Sequence, residues 1–81
     1  MTLTADQIRK HVLEALAQIA PDADVARLAP TEDMREAFDL DSMDVLRLAT
    51  ALHERLGVDI PEADYRQIVT LNGCIAYLSS R

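Results

Sequence analysis

Eighty-one residues can support one hydrophobic core, since a second would need roughly another hundred. Hydrophobic residues make up 49% of the chain and aromatics only 4%, so the interior has to be built from Leu, Ala, Val and Ile, which suits close-packed helices. Two Gly and three Pro exclude collagen-like and turn-dense all-β folds, one Cys excludes a disulfide framework or a multi-thiolate zinc site, and a net charge of −6 disfavours a nucleic-acid partner.

The first helix is signalled by Thr4-Ala5-Asp6-Gln7, in which Thr4 and Gln7 have the spacing of a capping box. Ile8, Val12, Leu16 and Ile19 then recur on one helical face until Pro21 stops the run. His11 falls off that face and reads as a solvated side chain. From Pro21 to Asp41 no period holds for long. Pro30 and Thr31-Glu32-Asp33 predict a turn and a short helical stretch through Ala37, with Val25, Leu28, Met34, Phe38 and Leu40 as scattered apolar anchors. A connection of this length is usually functional or mobile.

A second long helix starts at Asp41 or Ser42 and runs to Leu56, with Gly57 as its C-terminal signal. Val45, Leu48, Ala49, Leu52 and Leu56 form its core stripe, while Met43, Arg47 and Thr50 face away and Leu46 sits on the flank. Val58 and Ile60 plug the core from an extended link, and Pro61 opens a short third helix around residues 62–67. Thr70 caps a last helix that carries Leu71, Cys74, Ile75 and Leu78 on one face. The expected fold is all-α: a small four-helix bundle of three main helices and one short one, with a long loop between the first two, in a single domain over residues 1–81.

The charge is not spread evenly. Glu32, Asp33, Glu36, Asp39, Asp41 and Asp44 are opposed only by Arg35, whereas the rest of the chain is close to neutral. At the centre of this segment stands Ser42, at a helix N-terminus between Asp41 and an outward-facing Met43. Either Ser42 or Asp41 can serve as the helix cap, and Asp41 and Asp44 have the three-residue spacing of a capping pair. Independent catalysis by the serine fails on geometry. His53 lies eleven residues along the same helix, about 16 Å away at a rise of 1.5 Å per residue, whereas a general base must come within about 3 Å. A calcium loop starting at Asp39 also fails, because Asp44 falls where Gly is required and Thr50 where the bidentate Glu belongs. No metal site is expected, and Cys74 reads as a packed small hydrophobe. An exposed serine among carboxylates at a helix head instead suits modification by another protein, since the helix N-terminus favours an attached phosphate.

Asp41-Ser42-Met43-Asp44, the amphipathic helix that follows, and Gly57-Val58-Asp59-Ile60-Pro61-Glu62 together resemble the acyl carrier proteins, in which an Asp-Ser-Leu motif starts the second helix and an Ile-Pro pair opens the third. The resemblance implies a non-enzymatic carrier. A phosphopantetheinyl transferase would move 4′-phosphopantetheine from coenzyme A onto Ser42, and the arm would carry acyl groups as thioesters between acyl-loading and acyl-processing enzymes. Asp41 would be the acidic neighbour of the attachment site, and Met43, Asp44, Leu46, Arg47 and Thr50 the partner-docking positions. Met43 replaces the usual Leu, Asp39 stands where many members have Gly, and Arg47, His53 and Arg55 occupy positions often acidic in carriers of fatty acid synthesis. These departures imply a specialised pathway, polyketide, peptide-type or other, rather than primary fatty acid synthesis. The alternative reading is a non-modified helical interaction module that uses the exposed face of the second helix. No apolar run approaches the ~20 residues of a membrane span and the N-terminus lacks a signal core, so a cytoplasmic monomer is expected.

Overall fold

The structure is a computed structural model that describes residues 3–80. Four α-helices run in the order α1 (Ala5–Ile19), α2 (Met34–Ala37), α3 (Ser42–Leu56) and α4 (Leu71–Ser79). A 3₁₀ turn at Val25–Arg27 lies between α1 and α2, and a longer 3₁₀ helix at Glu62–Ile68 lies between α3 and α4. The described residues form no strand. The expected helical bundle is therefore the observed one, with α3 as the second of its three main helices.

Each α-helix begins on a side-chain cap. Thr4 Oγ1 accepts from the Gln7 amide at 3.1 Å while Gln7 Oε1 accepts from the Thr4 amide at 2.8 Å, which completes the box read from the sequence. α3 ends at Gly57, whose φ of +68° lies in the left-handed region that glycine enters without a Cβ penalty.

α1 packs against both α3 and α4, and the long 3₁₀ helix packs against both α3 and α4. Ile8, Val12, Ala15 and Leu16 from α1 meet Leu48, Ala49 and Leu52 from α3 and Leu71, Cys74 and Leu78 from α4 in one buried cluster. Leu56, placed on the core stripe by its spacing, is only half-buried at the helix end. On α4 the buried fourth member is Tyr77, and Ile75 is only half-covered. The difference has a polar cause: Tyr77 Oη donates to Asp64 Oδ2 at 2.7 Å, so the phenol is satisfied as its ring packs inside.

The third helix is of the tighter 3₁₀ kind. Its entry bond, from the Asp64 amide to the Pro61 carbonyl at 2.8 Å, spans three residues, and seven residues exceed the usual length of such helices. Tertiary ties hold it: Ile68 is fully buried, Asp64 receives Tyr77, and α4 approaches so closely that a Cβ on Gly73 would collide with the Gln67 carbonyl oxygen.

The long connection is pinned as well. Leu28 and Met34 are buried, the Met34 amide donates to the Val69 carbonyl at 2.8 Å, and the Asn72 amide donates to the Pro30 carbonyl at 3.0 Å. These bonds stitch the segment between α1 and α3 to the start of α4, which leaves the head of α3 in one place.

Candidate functional site at the head of α3

The chain arrives at this site through a sharp reversal. α2 ends at Ala37 with Phe38 as its C-cap, Asp39 adopts a φ of +54°, and the Leu40 amide reaches back to the Arg35 carbonyl at 2.9 Å. This is the six-to-one bond of a Schellman ending with its left-handed residue at position 39. Asp tolerates that conformation better than most side chains, which explains how Asp39 serves where Gly is the easier choice.

The choice of cap is resolved. Asp41 Oδ1 accepts from the Asp44 amide at 2.9 Å, and Asp44 Oδ2 accepts from the Asp41 amide at 3.2 Å, so the two acids form a reciprocal box. Ser42 is the first helical residue. It is exposed, and its hydroxyl has no hydrogen-bond partner among the described residues. The cap thus frees the serine while holding it at the positive end of the helix dipole.

The outward face of α3 carries Met43 and Leu46, 54% and 40% exposed, the two large hydrophobic residues that protrude from the described structure. Arg47 and Thr50 share that face. Thr50 Oγ1 donates to the Leu46 carbonyl at 2.9 Å, and Arg47 Nη1 donates to Asp44 Oδ1 at 3.1 Å. Asp44 itself is half-buried, turned toward a hollow behind Phe38 and Leu40 and engaged by both the cap and Arg47.

Other charged groups lie elsewhere. Arg55 is half-buried between α3 and α1, where Nη1 donates to Glu14 Oε1 at 3.0 Å and approaches His11 Nδ1 to 3.4 Å. His11 is accordingly half-buried at this junction, and not the solvated side chain its place on the wheel suggests. His53 sits at the far end of α3, with Nδ1 3.2 Å from both the Val58 carbonyl and Asp59 Oδ1. It is not brought to Ser42. Among the described residues no group of three or more His, Cys, Asp or Glu is placed to hold a metal ion. Cys74 is buried with its thiol donating to the Ile68 carbonyl, and burial pushes its pKa up to about 12, which makes it a poor nucleophile.

One feature has no counterpart in the sequence reading. Ser42 borders a cleft of about 370 Å³ between the head of α3 and the 3₁₀ helix. Leu40, Val45, Tyr65 and Val69 supply its apolar wall, and Arg35, Asp41 and Arg66 are the charged residues that line it. Tyr65, Arg66 and Val69 were not recognisable as neighbours of the serine because they come from a segment more than twenty residues downstream with no clear period. The Ile-Pro pair, which returns the chain toward α3, was the available signal.

Residues 6–78 match the family described as a phosphopantetheine attachment site. The chain is similar to the acyl carrier protein of Zymomonas mobilis subsp. mobilis, at 32% identity over 96% of this chain and 94% of the relative. The acyl carrier protein of Campylobacter hominis is 29% identical over 93% of this chain and 89% of its own length. Polyketide-8 synthase acyl carrier protein 2 of Streptomyces avermitilis is 32% identical over 98% of this chain and 85% of its own length.

Proposed function

The chain belongs to the acyl carrier proteins, which carry acyl groups and do not transform them, and from that premise we propose that Ser42 holds the 4′-phosphopantetheine arm. The family's prosthetic group supplies a terminal thiol on which acyl groups travel as thioesters between biosynthetic enzymes, after a phosphopantetheinyl transferase has attached it.

The observation that carries the assignment is a serine left exposed and unbonded because its neighbour takes over the cap. In the transfer, Ser42 Oγ attacks the phosphorus of coenzyme A nearest the pantetheine. A P–O bond forms to the serine, the pyrophosphate P–O bond breaks, the nucleotide leaves, and the hydroxyl proton passes to the transferase's base. Asp41 contributes by fixing the helix head, and the acidic segment steers a basic transferase toward it.

Met43 and Leu46 form the apolar centre of the docking face, with Arg47 and Thr50 beside them and Asp44 holding Arg47 in place. This face supports a role in a specialised pathway. α3 carries only Asp44 and Glu54 as acids and adds Arg47 and His53, so it offers no continuous acidic face, while Arg55 is bound to Glu14 on α1 and contributes little to docking. The protein acts as a monomer of one domain, residues 1–81, in the cytoplasm where coenzyme A is available. The support is a single core shared by α1, α3 and α4, and the finding that no helix among the described residues is long and apolar enough to cross a membrane.

Incubation with coenzyme A, Mg²⁺ and a broad-specificity transferase is expected to add one phosphopantetheinyl unit to the intact mass, and none to Ser42→Ala. An unchanged mass across several transferases, in a correctly folded protein, would favour the unmodified interaction module. Loading of the modified protein by fatty-acid-type but not by polyketide- or peptide-type acyltransferases would refute the specialised pathway alone.

A further inference from the structure

The exposed face of α3 presents its charges in an order that the net charge of −6 conceals. Arg47 and Asp44 form an ion pair at 3.1 Å, but only one of them projects outward: the Arg47 side chain is 65% exposed and the Asp44 side chain 21%. That pair engages Arg47 Nη1, and the other N–H donors of the guanidinium have no partner among the described residues. Glu54 lies seven residues on, two turns and about 10 Å along the same face. It is exposed, with no hydrogen bond or ion pair among the described residues. The polar side chains nearby are occupied: Thr50 donates to the Leu46 carbonyl, and His53 is tied to Asp59 and the Val58 carbonyl.

A partner that covers Met43 and Leu46 takes water away from both charged groups beside them. Desolvated donors or acceptors left unpaired weaken association more than an exposed ion pair strengthens it. A carboxylate opposite Arg47 satisfies the free donors in the forked geometry a guanidinium prefers, and a base opposite Glu54 satisfies its carboxylate. The reverse arrangement sets like charges against each other at both positions. The order also has a direction. Arg47 is five residues along α3 from Ser42 and Glu54 is twelve, rises of about 8 and about 18 Å.

Resting on the reading that Ser42 bears the arm, we propose that Arg47 and Glu54 are specificity-determining residues that select acyl-transferring enzymes by the order of their charges. The partner carries an apolar socket for Met43 and Leu46, a carboxylate near the opening that admits the arm, and a base about 10 Å farther from that opening. Docked the other way round, the same enzyme meets like charges at both ends, so the pair also fixes the orientation of the carrier and aims the arm. The acids that steer a basic transferase, among them Asp39 and Asp41, lie before Ser42 and are exposed there. The two classes of partner are thus met by different stretches of one charge pattern.

The test uses the full chain with its arm on Ser42 confirmed by mass, and fatty-acid-, polyketide- and peptide-type acyltransferases as probes. The enzyme with the highest kcat/KM for the parent is then assayed with charge reversals. Arg47→Glu and Glu54→Lys are each expected to lower kcat/KM about three- to ten-fold through KM with kcat unchanged, while Arg47→Lys retains most of it. The double variant, Arg47→Glu with Glu54→Lys, has the net charge of the parent and is expected to lose at least as much as either single reversal. Both side chains are exposed, so the variants should keep the amide spectrum of the parent away from the substituted positions and Asp44. Carbodiimide should couple the amine introduced by Arg47→Lys to an Asp or Glu near the opening of that enzyme. Recovery of parental kcat/KM in the double variant would mean that net charge alone is read. Single reversals without effect, or acting on kcat alone, would mean that neither position is read. Either result, or coupling only at sites remote from the opening, overturns the selection and leaves the attachment intact. Failure of Ser42 to load at all removes the attachment, and the selection with it.

Discussion

α3 and α4 begin in nearly the same way and end up with opposite roles. In each, a side-chain oxygen at the cap accepts from the amide three residues on, at 2.9 Å: Asp41 to Asp44, and Thr70 to Gly73. The first helical residue then follows. In α3 it is Ser42, open to solvent; in α4 it is Leu71, 1% exposed and part of the core. The cap sets the direction of the helix and satisfies its first amides in both cases. What packs against the helix head decides whether the next side chain is available for chemistry. The α4 head is closed by the long connection, through the Asn72 to Pro30 bond, and by the 3₁₀ helix at Gly73. The α3 head faces only the reversal at Asp39 and the mouth of a cleft.

The largest effect that separates the two should come from truncating the first helical residue of each. Leu71→Ala is expected to cost about 2–5 kcal/mol in denaturant unfolding, as a fully buried leucine does, while Ser42→Ala stays within about 0.5 kcal/mol. Equal losses would mean that the heads are not differently packed. Gly73→Ala probes the closure of the α4 head directly. Its methyl would collide with the Gln67 backbone oxygen, and a loss of about 1–3 kcal/mol is expected, since backbone must move to admit it.

Removing the caps should bring the two helices back together. Asp41→Ala and Thr70→Ala are each expected to lower stability by about 1 kcal/mol, with the mass gain at Ser42 retained in the second. Met43→Glu, on the open face of α3, should leave unfolding within about 0.5 kcal/mol while weakening turnover with acyl-transferring partners. A marked loss of stability would show that Met43 is packed.

The smallest effect concerns the other acidic cap, at the head of α2. Asp33 receives the Arg35 amide and guanidinium, and the side-chain hydrogen bond from Arg35, with further help from its charge, holds the Asp33 carboxyl below the usual carboxylate range. A depressed folded-state pKa means that the bond contributes above the unfolded carboxylate pKa and is lost as pH falls through the folded value. Carboxyl carbon shifts followed against pH should place the Asp33 midpoint below those of ordinary aspartates and return it toward them in Arg35→Ala. The net stability change should be near the limit of detection, because the pair is exposed.

How far the chain could be read before folding differs between these same regions. Thr4 and Gln7, the Val45–Leu52 stripe, Gly57, Pro61 and Thr70 are local signals, and each appears in the structure where its spacing puts it. Asp41 against Ser42 as cap was undecided, because both residue types do the job. The bond to Asp44 decides it. Tyr77 was overlooked as core because its burial depends on Asp64, thirteen residues away, and His11 read as solvated because Arg55, forty-four residues away, covers it only in the folded chain. The looseness of the long connection misled for the same reason. Its anchors, Met34 to Val69 and Pro30 to Asn72, join residues too far apart for any period to register.

By itself the sequence determined the main helices, their ends and every cap but that of α3, the family motif around Ser42 and the net charge that favours a basic partner, because hydrogen bonds over three or four residues and apolar periodicity act within one turn of chain. Only the tertiary structure decided which helix head stays open, which of the two arginines at the cleft is left unpaired and where the cleft beside Ser42 lies. Those outcomes depend on side chains meeting across the bundle, where burial and the competition between partners are settled by the packing of the whole chain.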